Sequence, residues 1–248
     1  MATQVATPQA AAWGAMARTG YGYAVIDIET ANAPEEEVKA WFNSTWKAPG
    51  NYKDPKKIAE AREKAWESCQ EKAALLPSAP VIAIGIKSET ELRCFHCMWE
   101  HEPLIRLNGC VQGFADEATM LQALGSLFVQ KVDAETILAG FNTKNFDFPR
   151  IRLKMARLKM AIPQALLNRE QPVFDNMQEY CYRFSGERDI MASCPEVSVA
   201  LGIKPHEVSG AVVPQLYEAR EYEAVVDKVL LDVLEEEQQF LRMTATAG

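Results

Sequence analysis

The sequence contains no run of about 18 apolar residues, so a membrane-spanning helix is not expected. Its first twenty residues, MATQVATPQAAAWGAMARTG, lack the charged start and unbroken apolar stretch of a secretory signal and read as a flexible tail. Positive charge is also in short supply: 26 Lys and Arg face 34 Asp and Glu, for a net charge of −8. A chain of that sign has no general electrostatic claim on nucleic acid, so any such claim must rest on a local site or on bound cations. No second Cys-x-x-Cys follows Cys94 and Cys97, and a separation of three on a strand puts these two side chains on opposite faces. A structural zinc site with His96, His101 and Cys110 is therefore not expected. Without an export signal, the six scattered cysteines are expected to be the reduced thiols of a cytoplasmic protein.

What is present is the mixture of a globular chain, 248 residues with 48% hydrophobic and 24% charged positions, long enough to bury a substantial core. No internal repeat or clean linker divides it. The pattern predicts one domain over 21–248, with a charged helical insertion at about 33–76. Residues 22–28 read as a strand, and two apolar runs around KSETE as a hairpin. Helical spacing marks 117–130, a short buried strand marks 136–140, and a helix follows from Asp147 to Met160. Ser193 with Glu196 three places on is a capping-box signature, and the chain is helical from about Pro214 to Met243. Alternating strands and helices indicate an α/β sheet with helices packed on it.

Three stretches carry acids where structure alone does not require them. In YGYAVIDIET, Asp27 and Glu29 lie two apart on a strand and so share one face. They are either a solvated strand end that discourages edge pairing, or a pair held together by a hard divalent cation. In AGFNTKNFDFPRIRLK, Asp147 precedes a helix, where it is either an N-cap or a ligand, and Asn142 and Asn145 either shape the turn or hold a substrate backbone. In YEAVVDKVLLDVLEEEQQF, Lys228 and Asp232 are neighbours four apart on one flank of an apolar stripe, while Asp227 falls on the other flank. Taken alone, that Lys–Asp pair reads as a surface ion pair. His206, in GIKPHEV, reads as a loop residue near bound nucleic acid. Lys53, Lys56 and Lys57, close to Trp41, Trp46 and Tyr52, read as a solvated helix start beside packing aromatics, or as a stacking surface for single strands.

Taken in order, VIDIET, GFNTKNFD and VLLDV resemble the motifs of the DEDD superfamily of 3′–5′ exonucleases, closest to phage and bacterial members similar to the proofreading domain of family-B DNA polymerases. PVFDNM, EVSVALGIK and PQLYEAREYEAVVDKVLLDV extend the resemblance over roughly 22–243, and KDPKKIAEAREKAWESCQEKAALLP looks like an insertion of the phage group. The resemblance implies a ribonuclease-H-like mixed five-stranded sheet with flanking helices, in a bacterial or phage-infected cell. It implies Asp27, Glu29, Asp147 and Asp232 as ligands of two Mg²⁺ or Mn²⁺ ions about 4 Å apart, and Thr30, Asn142, Asn145 and Phe146 as substrate contacts. The implied reaction releases nucleoside 5′-monophosphates, from single-stranded DNA in the first instance, with RNA as the alternative substrate. One position departs from the pattern. Relatives carry Tyr four residues before the last acid, or His five before it, where this chain has Lys228 and Asp227. Lys228 then either orients the attacking water as a neutral amine or contacts the scissile phosphate as an ammonium. The rival expectation is a binding module of the same fold in which the Lys–Asp pair is only structural.

Overall fold

The computed structural model describes residues 20–185 and 191–245; the expected N-terminal tail lies almost wholly outside them. Seven strands form one mixed sheet: β1 (Tyr23–Thr30), β2 (Val81–Lys87), β3 (Leu92–His96), β4 (His101–Arg106), β5 (Gly109–Gly113), β6 (Ile137–Gly140) and β7 (Val173–Asp175). Their order is β4-β5-β3-β2-β1-β6-β7. The expected hairpin is the antiparallel β2–β3 pair, while β1, β6 and β7 run parallel. The expectation of five strands is corrected to seven. The added pair, β4 and β5, lies at one edge, where β4 is largely exposed and contains Pro103. An edge strand with one wet face lacks the apolar run by which a buried strand is recognised.

The helices are α1 (Glu35–Thr45), α2 (Pro55–Glu71), α3 (Glu117–Lys131), α4 (Asp147–Arg157), α5 (Gln164–Leu167), α6 (Asn176–Glu179), α7 (Cys194–Ala200), α8 (Val213–Glu218) and α9 (Tyr222–Ala245). Each face of the sheet is covered, and the period of two along β1 decides what goes where. Ala24, Ile26 and Ile28 point to one layer, against Met120, Leu121, Leu124 and Phe128 of α3 and Phe148, Ile151 and Met155 of α4. Tyr23 and Val25 point to the other, against Val233 and Phe240 of α9. Asp27 and Glu29 continue that second series, so the strand's own alternation aims both carboxylates at α9.

One missing side chain brings α9 close. Gly85 pairs with Asp27 across β1 and β2. A Cβ on Gly85 would lie 2.8 Å from the Val229 carbonyl oxygen and 2.8 Å from Val233 Cγ1, contacts too short for a real side chain. Gly85→Ala is therefore expected to lift α9 off the sheet, costing about 1–3 kcal/mol as an overpacked core does. A fall in thermal midpoint checks this; an unchanged midpoint would mean that α9 has slack over β2.

The segment 33–76 holds α1 and α2. Asp54 caps α2, its side chain accepting from the Lys56 N–H at 2.9 Å. Phe42 packs edge-on to Trp66 at 5.3 Å between ring centroids, and Arg62 lies over Phe42 and Trp46. Trp41 and Tyr52 are exposed, as are Lys53, Lys56 and Lys57. Cys94 and Cys97 pack into the cores on opposite sides of the sheet. Among the described residues, no helix is long and apolar enough to cross a membrane.

A candidate acidic metal centre between β1 and α9

Where β1 outruns β6, its backbone loses a partner. Pairing to β6 covers only Tyr23, Ala24 and Val25, which leaves the Ile28 N–H without a strand neighbour on that side. Asp147, at the start of α4, fills the gap: its Oδ1 accepts the Ile28 N–H at 3.1 Å. The N-cap reading of Asp147 is therefore corrected. No side chain caps α4, and the carboxylate is spent across the fold, between the two acids of β1. Asp175, fully buried at the end of β7, holds the preceding loop by accepting from the Asn142 and Lys144 N–H groups at 3.2 and 3.0 Å. This leaves Asn142 in the left-handed region at φ 57°.

On the facing helix, Lys228 and Asp232 stand one turn apart, both over the β1 acids. The Lys228 Nζ donates to Glu29 Oε1 at 2.5 Å and to Asp232 Oδ2. Only 5% of Lys228 is exposed, so the surface ion pair expected from spacing alone is in fact buried and bridges two elements. Asp227, on the other flank of α9, pairs with Arg106 of β4 at 2.7 Å, as the helical geometry predicts. Asp27, Glu29 and Asp232 each bring an oxygen within 4.8 Å of the others. Three of the four expected ligands thus converge. Asp147 lies outside that grouping yet close enough that its charge raises the pKa of Asp27.

The electrostatics follow from burial. Desolvation first, then Glu236 and Asp232, push the Asp27 carboxyl well above its ordinary range. Desolvation, then Asp147 and Asp232, do the same to Glu236. Burial lifts Asp147 from 3.8 to about 7, partly opposed by the Ile28 N–H. Burial would lower Lys228, but Glu29 and Asp232 outweigh it and hold the ammonium charged. Asp232 stays below the usual carboxylate range despite its burial, because His206 and Lys228 both serve its charged form.

A carboxyl raised on folding favours the folded state while protonated, and that contribution is lost as pH climbs through the folded pKa. For Asp147 the window runs from about 4 to about 7, and Asp27 and Glu236 extend it upward. The chelated protein is therefore expected to lose thermal stability from mildly acidic to mildly alkaline pH, and Mn²⁺ to flatten the loss. Midpoints recorded against pH in chelator and in Mn²⁺ check this. Identical slopes in the two series would dissociate the acids from any cation.

Sequence reading underrated two groups. His206 is the wall of the site: its Nε2 lies 2.5 Å from Asp232 Oδ1, and its backbone N–H donates to Glu235 at 2.9 Å. No spacing rule brings a loop residue 26 positions away onto a helix. Glu235, Glu236 and Glu237 follow one another in sequence, and all three are buried. Glu235 accepts from Ser198 at 2.5 Å and Glu237 from Lys87 at 2.8 Å, while Glu236 faces the acids. The available signal was the interval of four from Lys228 to Asp232 to Glu236, which stacks them on one helix face.

A cleft of about 290 Å³ opens here, lined by Asp27, Asp232, Glu236, Lys228, His206 and Phe141, among others. The four expected substrate contacts lie apart from that lining. The Thr30 hydroxyl donates to the Ala74 carbonyl at 2.8 Å, tying β1 to the insertion. Asn145 donates to Asn142 at 3.2 Å within the turn, and Phe146 packs on the core under the Arg150 guanidinium. No protein-family model matches the chain, and no curated protein matches it.

Proposed function

We propose that the chain is a metal-dependent 3′–5′ exonuclease of ribonuclease-H-like fold that acts on single-stranded DNA. The observation that carries this reading is the convergence of Asp27, Glu29 and Asp232 within 4.8 Å, with Asp27 Oδ2 buried and lacking a hydrogen-bond partner. A buried carboxylate oxygen without a donor suits a hard cation, which takes oxygen ligands. Asp27, Glu29 and Asp232 would hold Mg²⁺ or Mn²⁺, with Asp147 beside them. So bound, the cations would supply an acidified water as nucleophile and neutralise charge on the departing 3′ oxygen.

The remaining work belongs to the chain itself. His206 fixes Asp232 from the loop side, and Asp147 fixes the β1 backbone between the two other acids. Lys228, kept charged by its neighbours, is the group that meets the scissile phosphate as an ammonium; the neutral-amine role has no support from its surroundings. Phe141 offers an aromatic wall on which a terminal base stacks without regard to sequence. The mixed α/β sheet, with the acids at the end of a central strand, agrees with this assignment.

The test is an end-labelled strand, as matched DNA and RNA, with Mg²⁺, with Mn²⁺ and with chelator. Stepwise shortening from the 3′ end that requires metal and prefers DNA is the expected result, and preference for RNA makes the chain an exoribonuclease. One observation favours the rival binding module: Lys228 already supplies Glu29 and Asp232 with a cation. Binding without shortening in any metal would establish that reading instead.

A further inference from the structure

The floor of the cleft is divided by charge. On one side the Lys228 ammonium is bonded to Glu29 and Asp232. On the other, Asp27 and Glu236 line the same cleft. Each keeps one buried oxygen with no hydrogen-bond partner, Asp27 Oδ2 and Glu236 Oε2. Glu236 is only 3% exposed, and the Phe141 backbone N–H is the donor it does have. It stands one helical turn beyond Asp232 and two beyond Lys228, on the face of α9 that the β1 acids meet.

Two neighbouring carboxylates, each with a buried and unpartnered oxygen, resist being charged together unless something positive lies between them. Removing such groups from water costs several kcal/mol per ion, which unpaired oxygens do not recover. Lys228 is hydrogen-bonded to Glu29 and Asp232, and among the described residues no other Lys or Arg side chain lines this cleft. Building on the metal-dependent reading above, we propose that Glu236 is a fifth cation-binding carboxylate, and that the first divalent ion enters between Asp27 and Glu236, on the side away from the Lys228 hydrogen bonds to Glu29 and Asp232.

Mn²⁺ binding by the full chain, followed by the electron paramagnetic resonance of free Mn²⁺, tests this alongside the metal-free thermal midpoint. Glu236→Gln keeps the shape and removes the charge. It is expected to weaken Mn²⁺ binding roughly tenfold or more, since even groups behind a ligand are worth that much. Its metal-free midpoint should hold or rise, because an unpaired buried charge has gone. A merely structural Glu236 would show the reverse: a lowered midpoint with Mn²⁺ affinity intact, which overturns the proposal. A proton shared between Asp27 and Glu236 in place of a metal would likewise leave affinity intact. Should Glu236→Gln fold poorly, Glu236→Asp keeps the charge but retracts the carboxylate by one methylene, and the same loss is expected; undiminished affinity overturns the proposal. If the wild-type chain takes up no Mn²⁺ and shortens no strand, the nuclease reading falls and this inference with it. If the wild type binds and cleaves while Glu236→Gln binds equally well, only the inference falls.

Discussion

Asp27→Ala is expected to abolish strand shortening while leaving the protein folded. The predicted loss is at least about a thousandfold, or about 4 kcal/mol of transition-state stabilisation, because Asp27 is one of the acids proposed to hold the cations. The stability side of the same variant runs the other way. Asp27 is held against desolvation and four other acids, with an oxygen that no donor satisfies. Removing it relieves repulsion, and Asp27→Asn does so without a cavity, so the chelated variant should melt at or above the wild-type temperature. Activity lost together with stability gained is the signature of a site built for a ligand. A variant that melts lower and still cleaves would make Asp27 a structural acid.

Lys228 gives the opposite pattern. Its ammonium is the buried counter-charge for Glu29 and Asp232, and truncating one member of a buried pair strands the other. Lys228→Met is expected to destabilise the chelated protein by about 3–5 kcal/mol. Saturating Mn²⁺ should return much of that loss, since a divalent ion can occupy the place of the ammonium, stabilising in proportion to its occupancy. Turnover in Mn²⁺ should remain severely reduced, because the group proposed to meet the phosphate has gone. Chemical denaturation with and without Mn²⁺, paired with single-turnover shortening, separates these effects. Wild-type turnover would remove Lys228 from the mechanism, and a stability loss that Mn²⁺ leaves untouched would make the ion pair purely architectural.

The fold was legible wherever burial imposed a period. β1, the β2–β3 hairpin, α3 and α9 follow from apolar spacing, because each is pressed against the core. β4 was missed because it is a largely exposed edge strand, and β5, its neighbour, because five residues with a glycine at each end carry little apolar pattern. The site was legible for the same reason in part: alternation on β1 put Asp27 and Glu29 on one face, and helical spacing put Lys228 beside Asp232. Depth was not legible. The interval of four sets Glu236 on the helix face of Lys228 and Asp232, but it does not reveal that Glu235, Glu236 and Glu237 are all buried. Nor does spacing reveal that Asp147 turns toward a strand 119 residues away in sequence, or that His206 folds back onto α9.

The bond from Asp147 to the Ile28 amide makes one backbone proton a reporter. That proton belongs to the residue between the two β1 acids and is donated to the Asp147 carboxylate. Any ion that draws charge away from Asp147 lengthens this contact, moving the amide resonance and loosening its protection from exchange with deuterium. Occupancy of the cleft can thus be read at a single peak, without substrate and without turnover.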